Sequence, residues 1–459
     1  MDAILNRGLD GNGSLEDLGR ELWSRRKSPK FLKSLTEPST GHVTLGVRDS
    51  VRAQDLRRSG WAVIYGEGVG DDVREALQPL VEIRRKQAAG GFRDLTKGEM
   101  PRHGESRRKY FNRLGVRSGG SVDPNQLPYY LLLVGSPTEI SFPFQYELDA
   151  QYAVGRLYFP KAEDYRSYAL SVMRAEQEAA GRRRCAFWGP WNAPNDPTGK
   201  AVKNLLTPLA RDLPQLHAGW SFDSHLGADA SKSRLLDLLR GNEGPSILFA
   251  ACHGLTRGNW DSSQRKVQGS LVAQDWPGGQ AAIPLEACLT GEDIAEDFDL
   301  CGRILFHFAC FSAGTPIRDD FQVLADEYLS AGEPFLSALP QQLLSAGDGR
   351  GAMAVVGHVD RVWTRSFEEN DVNLQDSQVY QDTLSRIIQG KRIGHAMELI
   401  NQFYLSQVAN LFSLKDELRG TPSVPDAKTL ASLWLSSVDA RNFILLGDPA
   451  VRLTPGQVP

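Results

Sequence analysis

At 459 residues the chain is too long for one ordinary core and calls for two or three domains or subdomains. Its 41% hydrophobic and 24% charged residues are those of a soluble globular protein, and a net charge of −4 sets up no field that would draw nucleic acid or an anionic membrane. Five cysteines, odd in number and without CxxC spacing, argue against a disulfide frame and against a zinc site.

The first stretch, MDAILNRGLDGNGSLEDLG, has acids where a signal peptide needs a basic and then an apolar run, so no targeting segment is expected. No window approaches about eighteen apolar residues, so no membrane span is expected either. The expected location is the cytoplasm, whose reducing environment suits free thiols. Residues 1–40 read as a polar, helical N-terminal extension. Strands are then predicted at 42–47, 61–66, 129–135 and 152–159, with helices near 70–90 and 163–180. GEGVGDD at 66–72 is glycine-rich but lacks the Lys-Ser/Thr of a phosphate-binding loop, and reads as a flexible turn. Beyond GRRRC the theme repeats, with strands at 185–189, 217–222, 246–252, 303–310, 352–359 and 442–447. Helices are predicted near 199–211, 231–240, 319–331, 376–389, 393–412 and 427–438. Continuous Val/Ile/Leu/Phe runs with helices between them predict an α/β fold, a mostly parallel sheet covered on both faces. The boundary between the two series falls at 181–185 and divides the chain into 41–182 and 183–459.

Two of these strands end in reactive residues. SILFAAC runs into His253-Gly254, and ILFHFA runs into Cys310, 57 residues later. Functional groups of open α/β sheets gather at the carboxyl ends of strands. An imidazole beside a thiol is the arrangement that makes a cysteine nucleophile. Gly254 lets its own N–H approach a ligand closely, and with the N–H of Cys310 it would form an oxyanion hole. Taken singly, Cys310 also fits a buried core thiol and His253 a satisfied polar residue. Their joint placement at two strand ends favours a catalytic pair. Cys252 is predicted to face the core, His307 and His358 to lie in the core or behind the site, and Asp448 to hold a turn. No acid has a sequence position that marks it as a third catalytic member.

The order His, about fifty residues, then Cys after a strand is that of caspase-like proteases. Five segments resemble the gingipain-like C25 peptidases and the related CHAT proteases of clan CD. They are YYLLLVGSPTEI with LDAQYAVGRLYF, AACHGLTRGNW, ILFHFACFSAG, AMAVVGHVDRVW and NFILLGDPAVRL, spanning roughly residues 125 to 455. The resemblance implies two side-by-side caspase-like subdomains, the first without a catalytic pair and the second carrying His253 and Cys310. It further implies a cysteine endopeptidase cutting after a basic residue, Arg preferred. Asp196, with Asn195 beside it, is similar to the acid that binds P1 in arginine-specific relatives, and Trp363 to the aromatic pocket wall. Asp360 is the runner-up carboxylate. Asp196 also fits an Asx-turn or a helix N-cap in NDPTG, and Asp360 a surface ion pair with Arg361 or a neighbour. Secreted relatives hold calcium, but no loop here has convincing ligand spacing, so neither metal nor cofactor is expected. The implied setting is a regulated bacterial defence or signalling protease, CRISPR- or gasdermin-linked. Its partners would be a protein substrate and an activating or inhibitory protein complex, without direct nucleic acid or membrane contact. A catalytically silent scaffold that binds proteins through the same fold is the alternative. The segment 255–302, with its polar, turn-rich GNWDSSQRKVQGS, or a neighbouring loop is expected to act as a lid that rearranges on activation.

Overall fold

A computed structural model of the chain describes residues 46–96, 98–177, 182–194, 196–241, 244–279, 282–295, 297–320, 329–363, 376–419 and 427–453. The predicted extension at 1–40, most of the strand at 42–47, most of the helix at 319–331, and Asn195 lie outside the described residues.

Ten strands form one continuous sheet. In chain order they are β1 (Trp61–Tyr65), β2 (Phe92–Leu95), β3 (Tyr130–Val134), β4 (Ala153–Leu157), β5 (Arg184–Gly189), β6 (Ser221–Leu226), β7 (Ile247–Ala251), β10 (Ile304–Phe308), β13 (Ala354–His358) and β14 (Phe443–Gly447). Two small antiparallel pairs stand outside it: β8 (Leu271–Val272) with β9 (Cys288–Leu289), and β11 (Gly314–Thr315) with β12 (Phe335–Leu336). The spatial order is β2-β1-β3-β4-β14-β13-β10-β7-β5-β6. All neighbours are parallel except β13 and β14. Seven central strands, β1, β3, β4, β7, β10, β13 and β14, are buried along their whole length, as expected of unbroken apolar runs with helices on both faces.

Strands before residue 182 make one half of the sheet and later ones the other, joined where β4 meets β14. Because β14 is parallel to β4 and antiparallel to β13, the two halves run in opposite directions. The carboxyl ends of β1, β3 and β4 therefore lie at the opposite edge of the sheet from those of β5, β7 and β10. The joint is tied by the fully buried Asp448 of the Gly-Asp-Pro turn. Its carboxylate accepts from Arg84 Nε at 2.6 Å and Trp61 Nε1 at 2.9 Å, both in the first half. Its own N–H donates to the Tyr168 hydroxyl at 2.6 Å. The turn expected of Asp448 is thus also the clasp between the halves.

Several local readings shift. Strand β2, FRDL, is a half-polar edge strand whose composition does not read as a strand. The strand predicted at 217–222 begins at Ser221, because His217 closes the Thr207–Leu216 helix and a turn follows. The segment expected to be a polar lid is not a plain loop. It contains β8, β9 and a helical turn at Gln264–Val267, closed over a small core of Leu255, Val267, Val272, Trp276, Ile283, Ala287 and Cys288. Its apolar residues are too scattered to show periodicity, yet they are enough to bury one another.

Candidate active site

Strands β7 and β10 are hydrogen-bonded neighbours, with Ala251 opposite Phe308. His253 and Cys310 each follow two residues beyond those positions, at the same edge of the sheet. Gly254 packs directly on the Cys310 backbone. A Cβ on Gly254 would lie 1.8 Å from the Cys310 carbonyl oxygen, so any side chain here is excluded. Among the described residues, the N–H groups of Gly254 and Cys310 have no acceptor. The turn after the thiol is strained: Phe311 sits at φ 56°, and its N–H donates to the Asp360 carbonyl at 2.6 Å.

The thiol itself faces Val362. The Val362 N–H donates to Cys310 Sγ at 3.4 Å, and Sγ lies 3.7 Å from the Val362 carbonyl oxygen. Burial pushes the Cys310 thiol up to about 11, against a smaller opposing pull from the Val362 amide and Arg361. In this state the sulfur is protonated at neutral pH. Among the described residues, no hydrogen bond joins it to His253.

His253 has a different partner. Its Nε2 lies 2.7 Å from Asp196 Oδ1. The same oxygen caps the helix Pro197–Ala201, accepting from Thr198 N at 3.0 Å and Thr198 Oγ1 at 2.6 Å. Burial works to raise the Asp196 carboxyl, but the bonds from His253 and Thr198 outweigh it and hold the group below the usual carboxylate range. Asp196 Oδ2 has no partner among the described residues. Trp276, from the insertion between β7 and β10, packs edge-on against the imidazole, with ring centroids 5.8 Å apart. The buried Asn192 side chain donates to the carbonyls of Ala273 at 2.9 Å and Trp276 at 2.6 Å, fastening the loop after β5 to that insertion.

Asp360 and Trp363 stand on the segment whose Val362 meets Cys310. Asp360 is fully buried, in the left-handed region at φ 79°. Its carboxylate accepts from Asp320 N at 2.9 Å and Arg361 N at 2.8 Å. Burial first, then the neighbouring Asp319 and Asp320, push it well above the ordinary range. Arg361 pairs instead with the buried Asp319, its Nη2 2.7 Å from Oδ2. Trp363 donates its N–H to Asp439 Oδ1 at 3.0 Å and packs with Leu411, Leu430, Trp434 and Leu435. His358 is a core residue bridging the Asp360 and Asp439 carbonyls at 3.2 and 2.9 Å. Burial holds His307 down to about 4, so it is neutral. Among the described residues, no group of three or more His, Cys, Asp or Glu could hold a metal ion, and no helix is long and apolar enough to cross a membrane.

The sequence reading missed the pairing of Asp196 with His253 and the edge-on packing of Trp276. A signal for the first exists: Asp196 follows β5, the strand beside β7, at the same edge as His253. The contact itself depends on the turn between Gly189 and Pro197.

No family model matches the chain, and no curated protein matches it. Among solved structures it is similar to the Arg-specific cysteine proteinase gingipain R, at 13% identity over 86% of this chain and 78% of that one, TM-score 0.44. It is likewise similar to a structure described only as a protease, at 12% identity over 87% and 80%, TM-score 0.48. A third is the Saccharomyces cerevisiae separase–securin complex, at 12% identity over 74% of this chain and 17% of that one, TM-score 0.34.

Proposed function

We propose that the protein is a cysteine endopeptidase in which Cys310 is the nucleophile, His253 the general base and Asp196 the residue that positions the imidazole. With Nε2 turned to Asp196, Nδ1 is the atom that meets the thiol once Sγ leaves Val362. His253 takes the proton and the thiolate adds to the scissile carbonyl. The N–H groups of Gly254 and Cys310 receive the oxyanion. The imidazolium, stabilised by the adjacent carboxylate, then returns its proton to the leaving amine, and water hydrolyses the thioester. The observation that carries this reading is the Asp196–His253 bond at the end of one strand beside a cysteine at the end of the next.

A basic P1 residue, arginine preferred, is part of the proposal. Its support is that Oδ1 of Asp196 is taken by three donors while Oδ2 has no partner, an arrangement that leaves one carboxylate oxygen for a guanidinium. Residues 183–459 would be the catalytic unit and 41–182 its non-catalytic companion. By its resemblance to CHAT proteases the setting would be regulated bacterial defence or signalling, in the cytoplasm, with an activating complex that frees the thiol. One observation favours the silent-scaffold reading: Sγ is hydrogen-bonded to Val362 rather than to His253.

A peptide acyloxymethyl ketone ending in arginine separates the two readings. The protease reading expects covalent labelling at Cys310, lost in Cys310→Ala and reduced at least about a hundredfold in His253→Ala. Labelling that persists in Cys310→Ala, or a wild-type protein that does not label, would sink it.

A further inference from the structure

We propose that the rim around His253 and Cys310 is a docking surface for apolar and aromatic residues flanking the cleaved bond of a polypeptide substrate, with Trp191 and Trp260 as its main contacts. The inference rests on the protease reading. Among the described residues five large apolar side chains are substantially exposed: Trp191, Leu216, Trp260, Leu285 and Ile317. Four of them stand on segments that leave the carboxyl ends of strands in the second half. Trp191 lies between β5 and Asp196, Trp260 follows His253 by seven residues, and Ile317 follows Cys310 by seven. Leu285 lies in the insertion whose Trp276 packs against the imidazole. Only Leu216, at the end of its helix, is elsewhere.

The two tryptophans are presented rather than loose. Trp260 is 69% exposed and Trp191 44%. Each indole lies on a glycine, Gly258 under Trp260 and Gly199 under Trp191, where an added Cβ would meet the ring at 2.4 Å. Each indole is therefore backed by glycine backbone. The Trp191 backbone is held from both sides by Gln274, which accepts from its N–H at 2.6 Å and donates to its carbonyl at 3.0 Å. A ring already fixed loses little freedom when a ligand covers it. Exposed aromatic surface grouped at one edge marks an interaction site rather than a scatter of tolerated residues. The occupant is argued from continuity: the segments carrying Trp191, Trp260 and Ile317 are those that carry Asp196, His253 and Cys310.

The test uses two fluorescein-labelled peptides that share one central arginine, the first flanked by Phe and Leu and the second by Ser and Gly. Anisotropy with full-length Cys310→Ala reads binding without cleavage. The apolar peptide is expected to bind at least about tenfold more tightly. Trp191→Ser combined with Trp260→Ser, in the same background, should bring the two affinities together, while Leu216→Ser leaves them apart. Equal affinities for the two peptides, or a difference that survives both tryptophan changes, would overturn the docking surface whatever the wild-type protein cleaves. Wild-type protein that shows the binding difference but takes no label from the arginine ketone would keep the surface and remove the protease reading.

Discussion

The two halves of the sheet bring backbone amides to the carboxyl ends of adjacent parallel strands and treat them in opposite ways. In the first half, β1 and β3 end at Gly66 and Gly135, and the Glu139 carboxylate closes the space above them. It accepts from Gly68 N at 3.0 Å, Ser136 N at 2.8 Å and Ser136 Oγ at 2.9 Å. In the second half, β7 and β10 end at His253-Gly254 and Cys310, where among the described residues no acceptor takes the amides of Gly254 and Cys310. Amides without acceptors are costly to bury and persist where something else is to fill them. The comparison teaches that a strand-end site is made functional as much by what the chain leaves unfilled as by the reactive groups it adds. The reversed strand direction then keeps the filled site and the open one at opposite edges.

The largest expected effect comes from closing the open site. Gly254→Ala drives a methyl group into the Cys310 carbonyl, so kcat/KM on a fluorogenic arginine peptide should fall by about a thousandfold. Near-normal activity in this variant would show that the amide pair is not where the oxyanion sits. Next is Asp196→Asn, expected to lower kcat by about a hundredfold. A matched peptide with alanine at P1 separates its two proposed roles: loss of orientation slows both peptides alike, whereas loss of the P1 partner slows only the arginine peptide.

Opening the filled site should move stability and not catalysis. Glu139→Ala leaves the Gly68 and Ser136 amides without their acceptor, at a cost of about 1–2 kcal/mol in urea unfolding. Its kcat/KM should match the wild type, and a drop would mean the two edges communicate. The smallest effect is expected at Asp360. A buried carboxyl with a raised pKa is most favourable when protonated, so its contribution is complete at low pH and is lost as pH rises through that raised value. Asp360→Asn keeps one of the two acceptor oxygens and tolerates the positive φ. It should change stability by less than about 1 kcal/mol at pH 5 and become relatively more stable than the wild type at pH 8. A variant that loses ground as pH rises would reverse the sign and show that the carboxylate is ionised in the folded protein.

The sequence by itself determined the layered α/β architecture. Runs such as ILFAA, ILFHF and AVVGH are buried on both faces, and their composition demands helices above and below. It also determined which strands lead into His253 and Cys310, because the residues that follow a strand are a local property. What only the tertiary structure decided is direction and contact. Whether β14 runs with β4 or against it depends on the whole path between β13 and β14, and no local pattern encodes that. Asp196 shows the same limit: NDPTG announces a helix cap, and the cap forms. The second partner of its Oδ1 is an imidazole 57 residues away, brought there by the pairing of β5 with β7 and by Asn192 fastening the loop to the insertion. Local residues set the conformations available to each segment. Which side chains meet is set by packing between segments, and the candidate site consists of such meetings.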